Sequence, residues 1–343
     1  DATADAANDA PSPPSCNLSA AFGNPVALPA PVNGTGDRES LWLSADLLTA
    51  WFDSDALADG GKQPLSTLYS TTRTALDAGF SAFVPLGINS VGTGHGVFGE
   101  TITADGLTMY FTNGFTNGYT TWIAMRATTQ VDFQNPTERV LPINGADVGT
   151  ENSPWWISPD GGTFYFLSNR SGGPGGRDVW TAMRAGNGAF TNPAPVANVN
   201  TTGDDDTLLL TPDELHAFLM RGGNTIFFTS RANASVAFAT PVPIAELNTF
   251  ASQHGNSINP SYVSADGCTL YFASDRQQQC RCERGPGNDR RDLEVLARRV
   301  IVTPAGAEPV QARHAHAGGR VRVGSAARRG IGEREAKTRG DRY

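Results

Sequence analysis

Pairs of large apolar residues recur along this chain, each closing a short β-prone run: Trp51-Phe52, Tyr110-Phe111, Tyr165-Phe166, Phe218-Leu219 and Tyr271-Phe272. A polar signal precedes every pair. It reads Ser44-Ala45-Asp46, Thr103-Ala104-Asp105-Gly106, Ser158-Pro159-Asp160-Gly161, Thr211-Pro212-Asp213-Glu214 and Ser264-Ala265-Asp266-Gly267. The second large residue lies six places after each Asp, and successive Asp positions are 59, 55, 53 and 53 apart. Asp and Gly suit a tight turn, because Asp bonds its own backbone and Gly accepts a positive φ. A period of about fifty residues built from strands and turns marks an architecture in which one repeat is one sheet.

Each repeat continues in the same way. A second strand ends in Arg: Leu68-Tyr69 to Arg73, Trp122 to Arg126, Val179-Trp180 to Arg184, and Ile226-Phe227-Phe228 to Arg231. Six or seven residues later a Phe (Phe80, Phe133, Phe190, Phe238) opens a Pro-bearing segment, and a similar one, Phe22 to Pro25-Val26, precedes the first Asp signal. Proline lacks the N–H that a central strand must donate, so these segments predict edge strands. The fold expected is all-β, a β-propeller of four-stranded blades. Five signals favour five blades, and six is the alternative.

These residues resemble TolB-type propeller repeats, most clearly Ser158-Pro159-Asp160-Gly161, then Ser168-Asn169-Arg170, the Gly172 to Gly176 loop and Asp178-Val179-Trp180, with Ser264 to Ser274-Asp275-Arg276 a further match. The similarity runs from about Phe22 to Arg299. It implies an exported or envelope-associated bacterial protein that binds a protein, peptide or glycan. Fold alone does not assign function.

Composition and charge narrow the picture. Up to Arg276 there are 11 Lys/Arg against 26 Asp/Glu, and beyond it 15 against 8, so charges of −15 and +7 make up the net −8. An acidic body argues against nucleic acid, whose phosphates need a basic face. Residues 1–15 are small, acidic and Pro-rich and read as a flexible tether, placing the protein in the envelope, lipid-anchored upstream of Asp1, or secreted. Residues 16–300 carry the propeller. Residues 301–343 are basic without strand or helix periodicity and read as a disordered tail, whereas Asp292 to Arg298 matches the Arg-ending strand of a fifth repeat. No apolar run approaches the roughly 20 residues of a spanning helix, and a monomer is expected.

Candidate chemistry lies in the loops before each Asp strand, which a propeller gathers at one mouth of its channel. They carry Glu39, His95 and Glu100, Glu151, Asp204-Asp205-Asp206, and His254. Such an acidic mouth would attract a cationic or hydroxyl-rich ligand. Asp53, Asp55 and Asp59 hold oxygen ligands of the Ca²⁺ kind, although Leu57 interrupts the set. Of the cysteines, Cys16 and Cys268 flank the ring closure and are expected to pair. Cys280 and Cys282 alone do not complete a zinc site, which needs about four ligands. No Gly-x-Ser-x-Gly elbow or phosphate loop appears. Without a convergent set of metal-binding side chains, non-catalytic binding at the acidic mouth is expected. A carbohydrate-active enzyme, a lyase or glycoside hydrolase, is the alternative.

Overall fold

The computed structural model describes residues 20–23, 26–28, 31–33, 40–56, 62–92, 96–115, 118–138, 142–144, 150–186, 188–254, 258–265, 267–274 and 292–297. These fall within a unit spanning Asp1–Ile301. The tether and the basic tail lie outside the described residues.

Twenty strands form five antiparallel groups of four among the described residues. The first holds β2 (Leu41–Leu43), β3 (Thr49–Ala56), β4 (Lys62–Thr72) and β5 (Val84–Pro85); the second holds β6 (Gly96–Ile102), β7 (Thr108–Phe115), β8 (Gly118–Met125) and β9 (Gln134–Glu138). The third holds β10 (Asn152–Ile157), β11 (Thr163–Ser168), β12 (Asp178–Arg184) and β13 (Phe190–Pro195); the fourth holds β14 (Asp205–Leu210), β15 (His216–Arg221), β16 (Thr225–Ser230) and β17 (Val242–Pro243). The fifth combines β18 (Ile258–Val263), β19 (Thr269–Ser274) and β20 (Asp292–Ala297) with β1 (Val26–Ala27). Contacts between first strands run from β2 to β6, β10, β14 and β18 and back to β2, so the groups close a ring and each is a propeller blade. The segment before the first repeat supplies the last blade's outer strand, with Val26 opposite Val295. A short α1 (Ala245–His254) is added between the fourth and fifth blades.

The Asp signal builds a hydrogen-bonded clip. Ser44, Thr103, Ser158 and Thr211 donate their hydroxyls to Asp46, Asp105, Asp160 and Asp213 at 2.5 to 2.6 Å. The same carboxylate oxygen accepts the N–H of Leu48, Leu107, Gly162 or Leu215 at 2.8 to 3.0 Å. The residue between must turn left-handed. Gly106 and Gly161 do so at φ of 70° and 68°, and where Gly is missing Leu47 and Glu214 adopt 60° and 59°. A side chain there costs on the order of 1–2 kcal/mol, so the clip overrides the residue's preference.

The Arg-to-Phe spacing has a physical reason as well. Arg73, Arg126, Arg184 and Arg231 lie 4.8, 4.5, 4.8 and 4.4 Å above the rings of Phe80, Phe133, Phe190 and Phe238. Each donates its Nε–H to a carbonyl of the Asp turn, from Leu47, Gly106, Gly161 and Glu214, at 2.6 to 2.9 Å. One guanidinium thus ties the inner turn of a blade to its outer strand. Of the apolar pairs, Phe52, Phe111, Phe166, Leu219 and Phe272 are fully buried. Their neighbours face the adjacent blade, as Tyr110 packs on Phe164 at 4.9 Å. Burying each such side chain contributes roughly 1.5–3 kcal/mol.

Candidate functional site

Backbone staples join consecutive blades at the end of the ring away from the Asp turns. Ser66 pairs with Gly96 between the first and second blades, and Tyr119 bridges to Glu151 between the second and third. The Asp205 N–H bonds the Arg177 carbonyl at 2.9 Å between the third and fourth. The staples set side chains around the channel end.

Four of the five first strands also carry a bulge there, between Phe98 and Thr101, Pro154 and Trp156, Asp205 and Thr207, and Pro260 and Tyr262. A bulge places two residues against one and re-aims a side chain. In β6 it begins at Gly99, whose φ of 60° is the conformation such a bulge needs.

Here the channel opens into a cavity of about 440 Å³ that all five blades line. Phe98, Tyr119 and Trp155 supply aromatic surface, Asp53, Glu151 and Asp206 supply carboxylates, and Arg177 is the cation. The Phe98 and Tyr119 rings meet edge to face at 5.4 Å. Arg177 Nη2 lies 2.6 Å from Asp206 Oδ1, while Asp204 and Glu151 stand 3.9 Å from the same guanidinium. Arg177 is placed by the Gly-rich loop before it. A Cβ on Gly175 would lie 2.2 Å from the Gly203 carbonyl oxygen, so only glycine permits that approach. Burial raises the Asp206 carboxyl above its ordinary range, against the opposing pull of Arg177.

Glu151 and Asp206 line the cavity, and three other candidate acids stand elsewhere. Glu100 is no loop acid: it belongs to β6, is only 5% exposed, and stands behind the cavity wall. The bulge turns it there. Its Oε2 lies 2.6 Å from Ser40 Oγ, its Oε1 is buried with no hydrogen bond, and burial first and the Asp53 charge second push its carboxyl up to about 8. Asp205 is fully buried in an ion pair with Arg221 at 2.8 Å and also accepts the Thr201 N–H at 2.6 Å, so it holds a loop rather than a ligand. Asp204 is half exposed outside the cavity and bonds the Arg177 N–H at 2.9 Å. Glu39 and His95 lie outside the described residues, and so does the His254 side chain.

Asp53 stands in strand β3 beside Asp55 two positions on; Asp59 lies outside the described residues. Asp53 accepts the Ser40 N–H at 2.6 Å, the Ser40 hydroxyl at 2.7 Å and the Ser66 hydroxyl at 2.9 Å. Among the described residues no group of three or more His, Cys, Asp or Glu could hold a metal ion. Cys268 is buried, and its expected partner Cys16 lies outside the described residues, as do Cys280 and Cys282.

A second cavity of about 540 Å³ opens at the Asp-turn end. Trp42, Trp156 and Tyr262 line it, and Ala45, Ala104, Pro159, Pro212 and Ala265, the middle residues of the five Asp signals, form its rim.

Solved structures resemble the chain in fold. An α-L-arabinofuranosidase from Lactobacillus brevis aligns with 82% of this chain and 97% of its own at a TM-score of 0.50 and 11% identity. TolB from Acinetobacter baumannii aligns over 76% of this chain at 0.41 and 16%, and a putative TolB from Agrobacterium tumefaciens over 77%, with 91% of its own length, at 0.44 and 13%. The chain spans 55% of the A. baumannii TolB it matches. At these identities the likeness is one of fold alone. No family model matches the sequence, and no curated protein does. Among the described residues no helix is long and apolar enough to cross a membrane.

Proposed function

We propose that this protein is a non-catalytic binding propeller that holds a neutral, hydroxyl-rich glycan in the five-blade cavity, in the bacterial envelope or outside the cell. The observation that carries this reading is the composition of the cavity wall: the aromatic surfaces of Phe98, Tyr119 and Trp155 stand beside Asp53, Glu151 and Asp206. Sugars present apolar C–H faces and a belt of hydroxyls. Aromatic rings take the first, and carboxylates accept from the second. One arginine among three cavity acids leaves a surplus of negative charge, which disfavours polyuronates.

A glycoside-cleaving enzyme is the rival reading, and Asp206 favours it, since its raised carboxyl lines the cavity. A general acid, however, must carry its proton in contact with the glycosidic oxygen. Arg177 at 2.6 Å from Asp206 stabilises the ionised form, and the most strongly raised carboxyl, Glu100, stands behind the wall.

The test is an array of neutral, amino and acidic oligosaccharides probed with the purified chain, followed by product analysis on each captured sugar. Capture of neutral sugars without cleavage, lost in Phe98→Ala, supports the proposal. Cleavage that Asp206→Asn abolishes would establish the enzyme instead.

A further inference from the structure

A single hydroxyl stands between two carboxyl groups behind the cavity wall. Ser40 Oγ lies 2.7 Å from Asp53 Oδ1 and 2.6 Å from Glu100 Oε2. A serine hydroxyl has one proton to donate. It can satisfy one of these contacts; the other joins two oxygen atoms at hydrogen-bonding distance and needs a proton of its own. One carboxyl must therefore be neutral.

The surroundings decide which. Asp53 accepts two further hydrogen bonds, from the Ser40 N–H and the Ser66 hydroxyl, and both favour its ionised form. For Glu100, burial first and the Asp53 charge second outweigh the support that the Ser40 hydroxyl and the Glu100 and Trp42 backbone N–H groups give its ionised form, and its Oε1 is buried without a hydrogen bond, which favours the neutral form. The chain then runs from the Glu100 carboxyl proton to Ser40 Oγ, and from the Ser40 proton to Asp53 Oδ1. Strands β2, β3, β4, β7 and β10 pack against β6, and of their described residues Asp53 is the charged group that acts on Glu100.

We propose that Glu100 is a positioning residue: as a neutral acid it orients the Ser40 hydroxyl, which in turn fixes Asp53 as an ionised acceptor on the cavity wall. This rests on the glycan-binding reading above. Asp53 and Ser40 line the cavity, so any change in Glu100 reaches the ligand through them. Loss of the Glu100 proton would leave one hydroxyl shared by two anions, and Asp53 would keep only the Ser40 N–H and the Ser66 hydroxyl as undivided donors. Burial places that loss at about pH 8.

The experiment follows glutamate and aspartate carboxyl carbons by NMR from pH 4 to 9 in the intact chain, with Glu100→Gln as assignment control. One glutamate is expected to titrate near pH 8, with the Asp53 resonance moving in step. Both events should vanish in Glu100→Gln, whose amide N–H replaces the carboxyl proton as donor to Ser40. Glutamates that all titrate below pH 6, or an Asp53 signal that stays still while Glu100 titrates, would overturn the proposal. These outcomes need no sugar, so a failure to bind glycans would be recognised separately. On the sugar array, wild-type capture should fall at least five-fold between pH 7 and 9, whereas Glu100→Gln should show no such slope.

Discussion

The side chain of Asn200 closes on both peptide groups of Val179: its Oδ1 accepts the Val179 N–H at 2.8 Å and its Nδ2 donates to the Val179 carbonyl at 2.9 Å. Asn89 holds Leu68 in the same way, Asn144 holds Thr121, and Asn248 holds Ile226. Each Asn follows a buried aliphatic residue, Ile88, Ile143, Val199 or Leu247. The amide thus completes the hydrogen bonding of each third strand where its outer neighbour ends.

Asn200→Ala is expected to lower stability by about 1–2 kcal/mol, because the N–H of the buried Val179 loses its partner while its carbonyl keeps the Val196 N–H at 2.9 Å. Urea unfolding measures this. A loss below about 0.5 kcal/mol would show that water replaces the amide without cost.

The Arg126 guanidinium bonds the Gly106 carbonyl at 2.6 Å while lying over Phe133. Lys keeps the charge but loses the planar stack and the directed donor. Arg126→Lys should cost roughly 1–2 kcal/mol in the same measurement, and an unchanged unfolding midpoint would contradict the tie between turn and outer strand.

Gly161→Ala isolates the backbone cost of the Asp turn. The nearest atom to an added Cβ is 3.6 Å away, so the penalty is conformational and should be about 1 kcal/mol. A loss several times larger would mean that the clip cannot hold an alanine where it holds Leu47 and Glu214.

Stability should depend on pH from both sides. Glu100 titrates higher folded than unfolded, so its contribution is complete below about pH 4.5, the ordinary value, and is lost as pH rises through about 8. Asp46, Asp105 and Asp160 are held below their ordinary value, first by the Ser or Thr hydroxyl of the clip, so their contribution is present above about 3.8 and lost as pH falls. The melting temperature should therefore peak in mildly acidic solution, and Glu100→Gln should lessen the decline between pH 5 and 8, leaving the smaller part due to Asp178 and Asp206, which burial also raises. A wild-type melting temperature that rises across that interval would contradict the burial of a neutral Glu100.

Much of the blade was legible because its signals are local. Ser158, Asp160 and Gly161 form their turn among themselves, and the Arg184-to-Phe190 spacing is short enough to read as a repeat. The Asn repeat went unread, since Asn89, Asn144, Asn200 and Asn248 sit in segments that otherwise share little. The site was less legible still. Glu100 and Asp205 look like loop acids in sequence, but a bulge turns one behind the cavity wall and Arg221 neutralises the other. Phe98, Tyr119, Trp155 and Arg177 gave no signal, because their convergence depends on how two different blades meet.

The central claim is that a neutral glycan lies in the five-blade cavity and leaves it unchanged. Calorimetric titration of a neutral oligosaccharide captured on the array, with wild type and Phe98→Ala side by side, tests this most directly. Phe98 is partly exposed and packs on Tyr119, so its loss should spare the fold. The account predicts that wild type binds, that Phe98→Ala binds at least ten-fold more weakly at a similar melting temperature, and that the sugar is recovered intact. Equal affinity in both proteins, or a cleaved sugar, would contradict it.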